Sequence, residues 1–299
     1  MMKRKNKPEA TFDVFNYTFM VLFAFFCIYP FIYIFAMSFN DGKDAMKGGI
    51  YFWPRLFTFE NYRTIFQDDR IISSFGISFF RTIAGIILGI IVNTLYAYAI
   101  TKKDLPGRKF FNWLIVIPMY FSGGIIPYYL VCQKLGMINN IWVYIIPWLA
   151  APFHIMMLRI AVTELPSSLE ESAQLDGANY IKIFIRIIFP LVVPSIATIG
   201  LLTGLFHWND WLDGTIMTSR SSMWPLQTLL LNILQGADMS RFFRDGNMST
   251  AGGMMRKISI TPESLKMAML VVTVLPIFMV YPFAQKYFIK GMMIGSVKE

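Results

Sequence analysis

The sequence predicts an all-α polytopic membrane protein: six transmembrane helices with a short cytoplasmic helix between the fourth and the fifth. Three observations carry this. Of 299 residues, 56% are hydrophobic and only 15% charged, against about 25% charged in soluble domains. Six mostly apolar stretches of roughly 20 residues recur, each long enough to cross a bilayer at about 1.5 Å per residue. Basic residues cluster between alternate stretches, the pattern that orients a membrane protein. The net charge of +9 is therefore read as orientation. No basic face with the aromatic spacing of a nucleic-acid module occurs, so no nucleic-acid partner is expected.

Residues 1–14 form a basic N-terminus, where Lys3, Arg4, Lys5 and Lys7 favour the cytoplasm. The first span covers about Phe15 to Phe39. Its apolar run exceeds the roughly 7–15 residues of a signal-peptide core, so it reads as an uncleaved span. The second span covers about Ile77 to Ile100 and the third Phe110 to Cys132. Lys102, Lys103, Arg108 and Lys109 hold the loop between them inside. The fourth span covers about Ile141 to Ile160; the loop before it carries only Lys134 as a basic residue and falls outside. The fifth runs from about Phe189 to Trp208 and the sixth from Leu265 to Phe288. Both termini are then cytoplasmic, with residues 290–299 as a short basic tail, and the chain is a multi-pass membrane protein.

Two long outer segments remain, Asn40 to Phe75 and 213–264. In the first, Tyr51-Phe52-Trp53-Pro54 is an aromatic cluster suited to the membrane interface. Phe59-Glu60-Asn61-Tyr62 begins a short surface helix. In the second, Met223, Trp224, Met239, Phe242 and Phe243 sit among balanced charges, which suits a protein-contact surface or a solvated loop. Thr261, Pro262 and Glu263 are a cap, a first-turn proline and a dipole-matched acid for the sixth span. Pro30, Pro118, Pro127, Pro147, Pro152, Pro194 and Pro276 lie within or beside spans. They fit ordinary kinks, or a bundle with moving helices around a path. Cys27 and Cys132 have neither metal-ligand spacing nor a disulfide framework and read as small apolar residues in packed helices.

The loop 164–190 is the most informative segment. Pro166 blocks extension of the fourth span. Ser167 with Glu170, or Ser168 with Glu171, has capping-box spacing. Gly177 supplies a left-handed stop. A helix of about two turns, Ser168 to Asp176, follows. A second helical stretch runs from about Tyr180 to Phe189, with Ile181, Phe184, Ile185 and Ile188 at helical spacing to rest on the bundle. Such a helix, held at a fixed angle on a membrane span, can carry movement from a cytoplasmic partner into the spans.

Glu171-Ser172-Ala173, then Gly177, then Ile187-Ile188-Phe189-Pro190 resembles the EAA motif of bacterial ABC-importer permeases. That motif runs Glu-Ala-Ala, Gly, then Ile-x-Leu-Pro. Ser172 and Phe189 depart from it; serine is small enough to keep close packing. Asp176-Gly177-Ala178 and Pro190 with Pro194 resemble the carbohydrate-importer branch. So does Trp208-Asn209-Asp210. The segments Thr261 to Ala268 and Tyr287 to Gly291, with Gly295, resemble its Gram-positive complex-polysaccharide permeases. The resemblance covers nearly the whole chain and implies an ATP-driven importer of an oligosaccharide or polysaccharide fragment. It implies that the short helix, with Glu170, Glu171, Ser172, Ala173, Asp176, Gly177, Ala178 and Pro190, couples to the ATPase. Glu171 would contact it, Ala173 and Gly177 would permit close fit, and Asp176 would brace the turn. The tail residues Lys290, Gly291 and Gly295 would approach the same ATPase, or anchor at the anionic leaflet. The implied partners are a sister permease, an ATPase dimer, an extracytoplasmic substrate-binding protein, the carbohydrate and the lipid bilayer. No G-x-x-x-x-G-K-[ST] loop occurs. No cofactor is expected on this chain, ATP and magnesium belong to the partner, and the chain is not itself an enzyme.

Polar residues at membrane depth are candidates for a substrate path. Arg81 and Arg159 lie near span ends and can snorkel. Asn93 reads as interhelical glue. His154 beside Pro152 either lines the path or bonds a carbonyl that the proline frees. His207-Trp208-Asn209-Asp210-Trp211 offers rings for sugar faces and amide or carboxylate groups for hydroxyls, or else an interfacial aromatic belt. Two other classes fare worse. An ion-coupled transporter needs paired inverted repeats and midplane acids, and neither is found. An intramembrane enzyme needs a nucleophile and base or metal ligands, and two histidines are too few. An ABC permease for a solute other than sugar stays open.

Overall fold

The computed structural model describes residues 7–236 and 260–294. Its main helices, in chain order, are α1 (Lys7–Ser38), α2 (Asp69–Thr101), α3 (Arg108–Tyr120), α4 (Ile125–Lys134) and α5 (Pro152–Thr163). Then come α6 (Ser167–Leu175), α7 (Val193–Asn209), α8 (Leu212–Met217), α9 (Leu226–Leu234) and α10 (Pro262–Ile294). No strand occurs among the described residues; Asn40 and Phe57 form an isolated bridge. Three described helices are long and apolar enough to cross a membrane, or five if each of two bent pairs counts as one span.

The breaks have local causes. The expected third span is two helices: α3 contains Pro118, Phe121 is extended (φ −121°, ψ 116°), and Gly124 takes φ 81° before α4 begins. The expected fourth span starts as 3₁₀ turns over Ile141–Trp148 and bends by 45° into α5, with Pro152 in its first turn. Asn93 on α2 repairs that bend. Its Nδ2 donates to the carbonyls of Gly89 (2.6 Å) and Leu149 (2.9 Å), and its Oδ1 accepts from Ala151 N (2.9 Å). Tyr180–Leu191 meets α7 at a 79° bend. The fifth apolar helix thus begins at Val193, and Phe189, Pro190 and Leu191 belong to the segment before it.

The chain divides into two compact units: Met1–Asp68 with Asn232–Val274, and Asp69–Leu231 with Leu275–Glu299. In the first, α1 leaves most of its large apolar side chains open, with Phe15 and Phe26 each 70% exposed. A soluble protein would not tolerate that surface, and the helix is long and apolar enough to cross a bilayer. A buried polar knot fastens the segment after α1. Asn61 donates to the carbonyls of Ser38 (2.8 Å) and Asn40 (3.0 Å) and accepts from Ser264 Oγ (2.9 Å). Thr261 Oγ1 accepts from Ser264 N (3.3 Å), the expected cap of α10. The short helix expected at Phe59 runs from Glu60 to Ile65. In the aromatic cluster, Phe52 packs on Tyr29 (centroids 5.5 Å apart) while Trp53 stays 78% exposed.

In the second unit α5 and α7 pack along α2. Two G-x-x-x-G stripes meet: Gly85 and Gly89 on α2, Gly200 and Gly204 on α7. Thr203 and His207 sit over the α2 glycines; Ile86 and Ile90 sit over the α7 glycines. This reciprocal fit lets the two backbones come close. One apolar core joins Ala97, Tyr98, Ile155, Leu158, Ile183, Phe184, Ile188 and Ile196. A second, smaller one holds Cys132, Tyr144, Ile145 and Met217. Cys132 is buried as expected, whereas Cys27 is exposed on α1.

Candidate functional site

The helix α6 begins at Ser167 and ends at Leu175, one residue earlier at each end than the spacing predicts. Pro166 occupies the cap position and no side chain caps the first turn, so neither capping box forms. Proline's fixed φ starts the helix instead. The other end is a Schellman motif. Gly177 (φ +76°) donates to Gln174 O (3.0 Å), and Ala178 N donates to Ala173 O (2.9 Å). Nothing lies within 4 Å of where a Gly177 Cβ would be. The glycine is required by its backbone angle, and the space around it is open.

No residue of α6 is buried. Glu171, Ser172 and Asp176 are exposed, as is Leu175 at 89%. Ala173 and Ala178 are half-buried against the larger core, with Leu165. Glu170 turns the other way and pairs with Lys102 at the end of α2. The next segment starts at Tyr180, capped by the Asn179 side chain accepting from Lys182 N (2.9 Å). It widens into a π turn over Phe184–Ile188. That shifts the buried stripe to Ile183, Phe184, Ile188 and Val192, while Ile181 and Ile185, expected on the bundle, are exposed. Pro190 is exposed. Lys290 and Gly291 lie near the end of α10, and Gly295 lies outside the described residues, as do Met239, Phe242 and Phe243.

The residues around the end of α7 fall into two groups. His207 (2% exposed) and Trp208 (7%) are buried. The His207 ring lies against the Gly85 backbone, and Trp208 meets Phe75 edge-on at 5.9 Å. Asp210 is half-buried and already engaged. Its Oδ2 accepts from Arg81 Nη2 (2.6 Å), and its Oδ1 accepts from Leu212 N (3.0 Å), starting α8. Arg81 does not snorkel: it is wholly buried, paired with Asp210, its guanidinium 4.8 Å from the Tyr144 ring centroid. Burying one charge alone would cost several kcal/mol, so the pair is obligatory. Arg159 likewise does not snorkel but donates to Asn112 Oδ1 on α3 (2.8 Å).

Phe206 (40%), Trp148 (36%) and Trp211 (46%) are open. Trp148 and Phe206 pack as tilted rings with centroids 4.7 Å apart, and Tyr128 adjoins Trp148 at 5.6 Å. Beneath them lies Asp213, fully buried, accepting from Tyr128 Oη (3.1 Å) and Trp148 Nε1 (2.7 Å). Asn209 is exposed and accepts from Gln227 Nε2 (3.3 Å). His154 reaches Thr203 on α7 (Nδ1 to Oγ1, 3.4 Å), one turn before His207. It bonds a side chain and not a carbonyl freed by Pro152.

Over 288 residues the chain is 38% identical to the polygalacturonan/rhamnogalacturonan transport system permease protein YtcP of Bacillus subtilis, covering 96% of this chain and 98% of that protein. It is 35% identical over 292 residues to protein LplC of the same organism, covering 98% and 96%. The chain is a carbohydrate ABC-importer permease. A crystal structure of a bacterial ABC transporter involved in import of the acidic polysaccharide alginate contains a similar chain, with TM-score 0.87, 28% identity, and coverage of 96% and 100%. No protein-family model matches the chain.

In this permease the sequence motif and the fold meet at α6, an exposed helix on a fixed backbone. Sequence reasoning missed three features. The paired G-x-x-x-G stripes were legible as a spacing in two apolar runs. Asp213 stood just past the fifth span, but only the fold brings Tyr128 and Trp148 to it. Lys102 was counted as an orienting charge, and nothing local linked it to Glu170, 68 residues away.

Proposed function

We propose that this permease couples ATP hydrolysis on a separate ATPase dimer to alternating access, with α6 as the element that the ATPase pushes. The observation that carries this is α6 itself: two turns without one buried residue, closed by a Gly177 Schellman motif with open space beside it. A helix that touches its own chain only through Ala173 and Glu170 leaves its other face free to pack on a partner. Glu171, Ser172 and Asp176 form the facing surface. Six spans with cytoplasmic termini, a sister permease, an extracytoplasmic binding protein, and ATP and magnesium held by the ATPase complete the working unit. This chain then performs no chemistry of its own. Its substrate is an oligosaccharide, and an acidic pectin-type fragment is the first to test, given the name of the Bacillus subtilis relative.

The sugar-facing residues on this chain are the open rings Phe206, Trp148 and Trp211, with Asn209. Rings offer flat apolar faces to sugar C–H groups, and the amide bonds hydroxyls. His207 and Asp210 support this ledge from inside. The test uses the reconstituted complex. Glu171→Ala and Gly177→Val should abolish substrate-stimulated ATPase activity while the chain still reaches the membrane. Wild-type coupling in both variants would refute the proposal.

A further inference from the structure

Resting on the coupling role of α6, we infer that Lys102 and Glu170 form a strut that delivers the movement of α6 directly into α2, making both positioning residues for transport. Among the described residues this ion pair is the one side-chain hydrogen bond that α6 makes to another element. Both partners are largely shielded, with side chains 15% and 22% exposed. The Lys102 ammonium also sits 3.9 Å from the centroid of the Tyr98 ring, itself buried, and 5.8 Å from that of Tyr180. Tyr180 Oη in turn donates to Asp104 Oδ2 (2.7 Å). The loop after α2 is thereby tied to both sides of the α6 turn.

Packing supplies no such connection to α6 itself. The segment after α6 meets α2 where Phe184 packs on Tyr98, with centroids 5.3 Å apart, and beside that contact lies an open groove of about 450 Å³, lined by Leu95, Tyr98, Lys102, Asp104, Tyr180 and Ile181. The contacts that do pack, through Ala173, Ala178 and Leu165, are half-buried. Without the strut, α6 joins the bundle through those small contacts and through its own chain ends. Those lead into α5 and, across the 79° bend, into α7. With it, displacement of α6 is also imposed on α2, along which α5 and α7 both pack. A charged, shielded bond holds its length better than an exposed one, because water competes less for it.

The test uses the complete transporter in proteoliposomes, with Lys102→Gln, Glu170→Gln and the exchange Lys102→Glu/Glu170→Lys. The readouts are the amount of ATPase retained on purification and the sugar moved per ATP hydrolysed. Each single variant should retain the ATPase and lower the ratio roughly three- to tenfold, the range for a charged, partly shielded bond. The exchange should recover part of the loss; recovery is incomplete because a carboxylate at 102 faces the negative face of the Tyr98 ring. Unchanged ratios in both single variants would overturn the inference. So would loss of bound ATPase in Glu170→Gln that the exchange does not restore, since Glu170 would then touch the ATPase itself. If Glu171→Ala uncouples the complex while these variants do not, the strut fails and the role of α6 stands. If neither set uncouples, the role of α6 fails as well.

Discussion

Substituting alanine at Gly85 should separate α2 from α7. A methyl group there would lie 2.2 Å from His207 Nε2, 2.3 Å from Cδ2 and 2.9 Å from Cε1. These are atoms of a rigid ring that is 2% exposed, next to Phe206 with centroids 5.4 Å apart. The ring has no free direction, so the helices must move. Overpacking of this kind costs about 1–3 kcal/mol. Alanine recovers about 1 kcal/mol of helix propensity at the same position. Gly89 is the internal control: a methyl there would meet Thr203 Cγ2 at 3.6 Å, an ordinary contact, so Gly89→Ala should be neutral or stabilising. With about 2–4 °C per kcal/mol for chains somewhat shorter than this one, Gly85→Ala should melt several degrees below Gly89→Ala in lipid nanodiscs. Gly85→Ala/His207→Ala should be more stable than the sum of its single changes, with a coupling of about 0.5–3 kcal/mol. Equal melting of the two alanine variants, or strict additivity with His207→Ala, would refute the reasoning.

Three further outcomes follow from single groups. Asn93→Ala leaves Ala151 N–H and Leu149 C=O without partners at the bend before α5, which should cost about 1–3 kcal/mol in thermal unfolding of the purified protein. Asp210→Ala strands the buried Arg81 guanidinium, a loss of about 3–5 kcal/mol, so membrane yield should collapse, and adding Arg81→Leu should restore much of it. The Asp104 carboxyl is held below the ordinary carboxylate range, chiefly by the hydrogen bond from Tyr180. Its folded pKa is thus lower than its unfolded one. The associated stability is complete above the unfolded value, about 3.9, and is lost as pH falls through the folded value. Tyr180→Phe should therefore raise the Asp104 pKa in a carboxyl-carbon NMR titration and leave stability between pH 5 and 8 without a new pH dependence from this group.

The α6 site was legible because its signals are local. A proline, a glycine and the acids between them sit within a dozen residues, and their backbone preferences act without help from the fold. The residues proposed to face sugar were legible only in part. Asn209 and Trp211 are exposed, whereas His207 and Trp208 are buried and Asp210 is engaged by Arg81. Sequence distance hid that ion pair, since 129 residues separate the partners. The two open rings contributed by Trp148 and Phe206 come from different helices, and no local pattern joins them.

By itself the sequence determined that this is a membrane permease built of apolar helices, although not where those helices break. Those properties follow from apolar length and charge placement, which each segment carries alone. It also determined the turn that ends α6, because a positive φ at Gly177 and a proline start are written in single residues. Only the tertiary structure decided which polar groups are free. Arg81, Asp210 and Glu170 each looked available in the sequence and each is engaged by a partner far along the chain, whereas Asn93 bridges two elements as its place in an apolar span suggested. The bilayer and the protein interior make an unpaired polar group costly, so such groups find partners wherever the fold brings one near, at distances along the chain that no local pattern encodes.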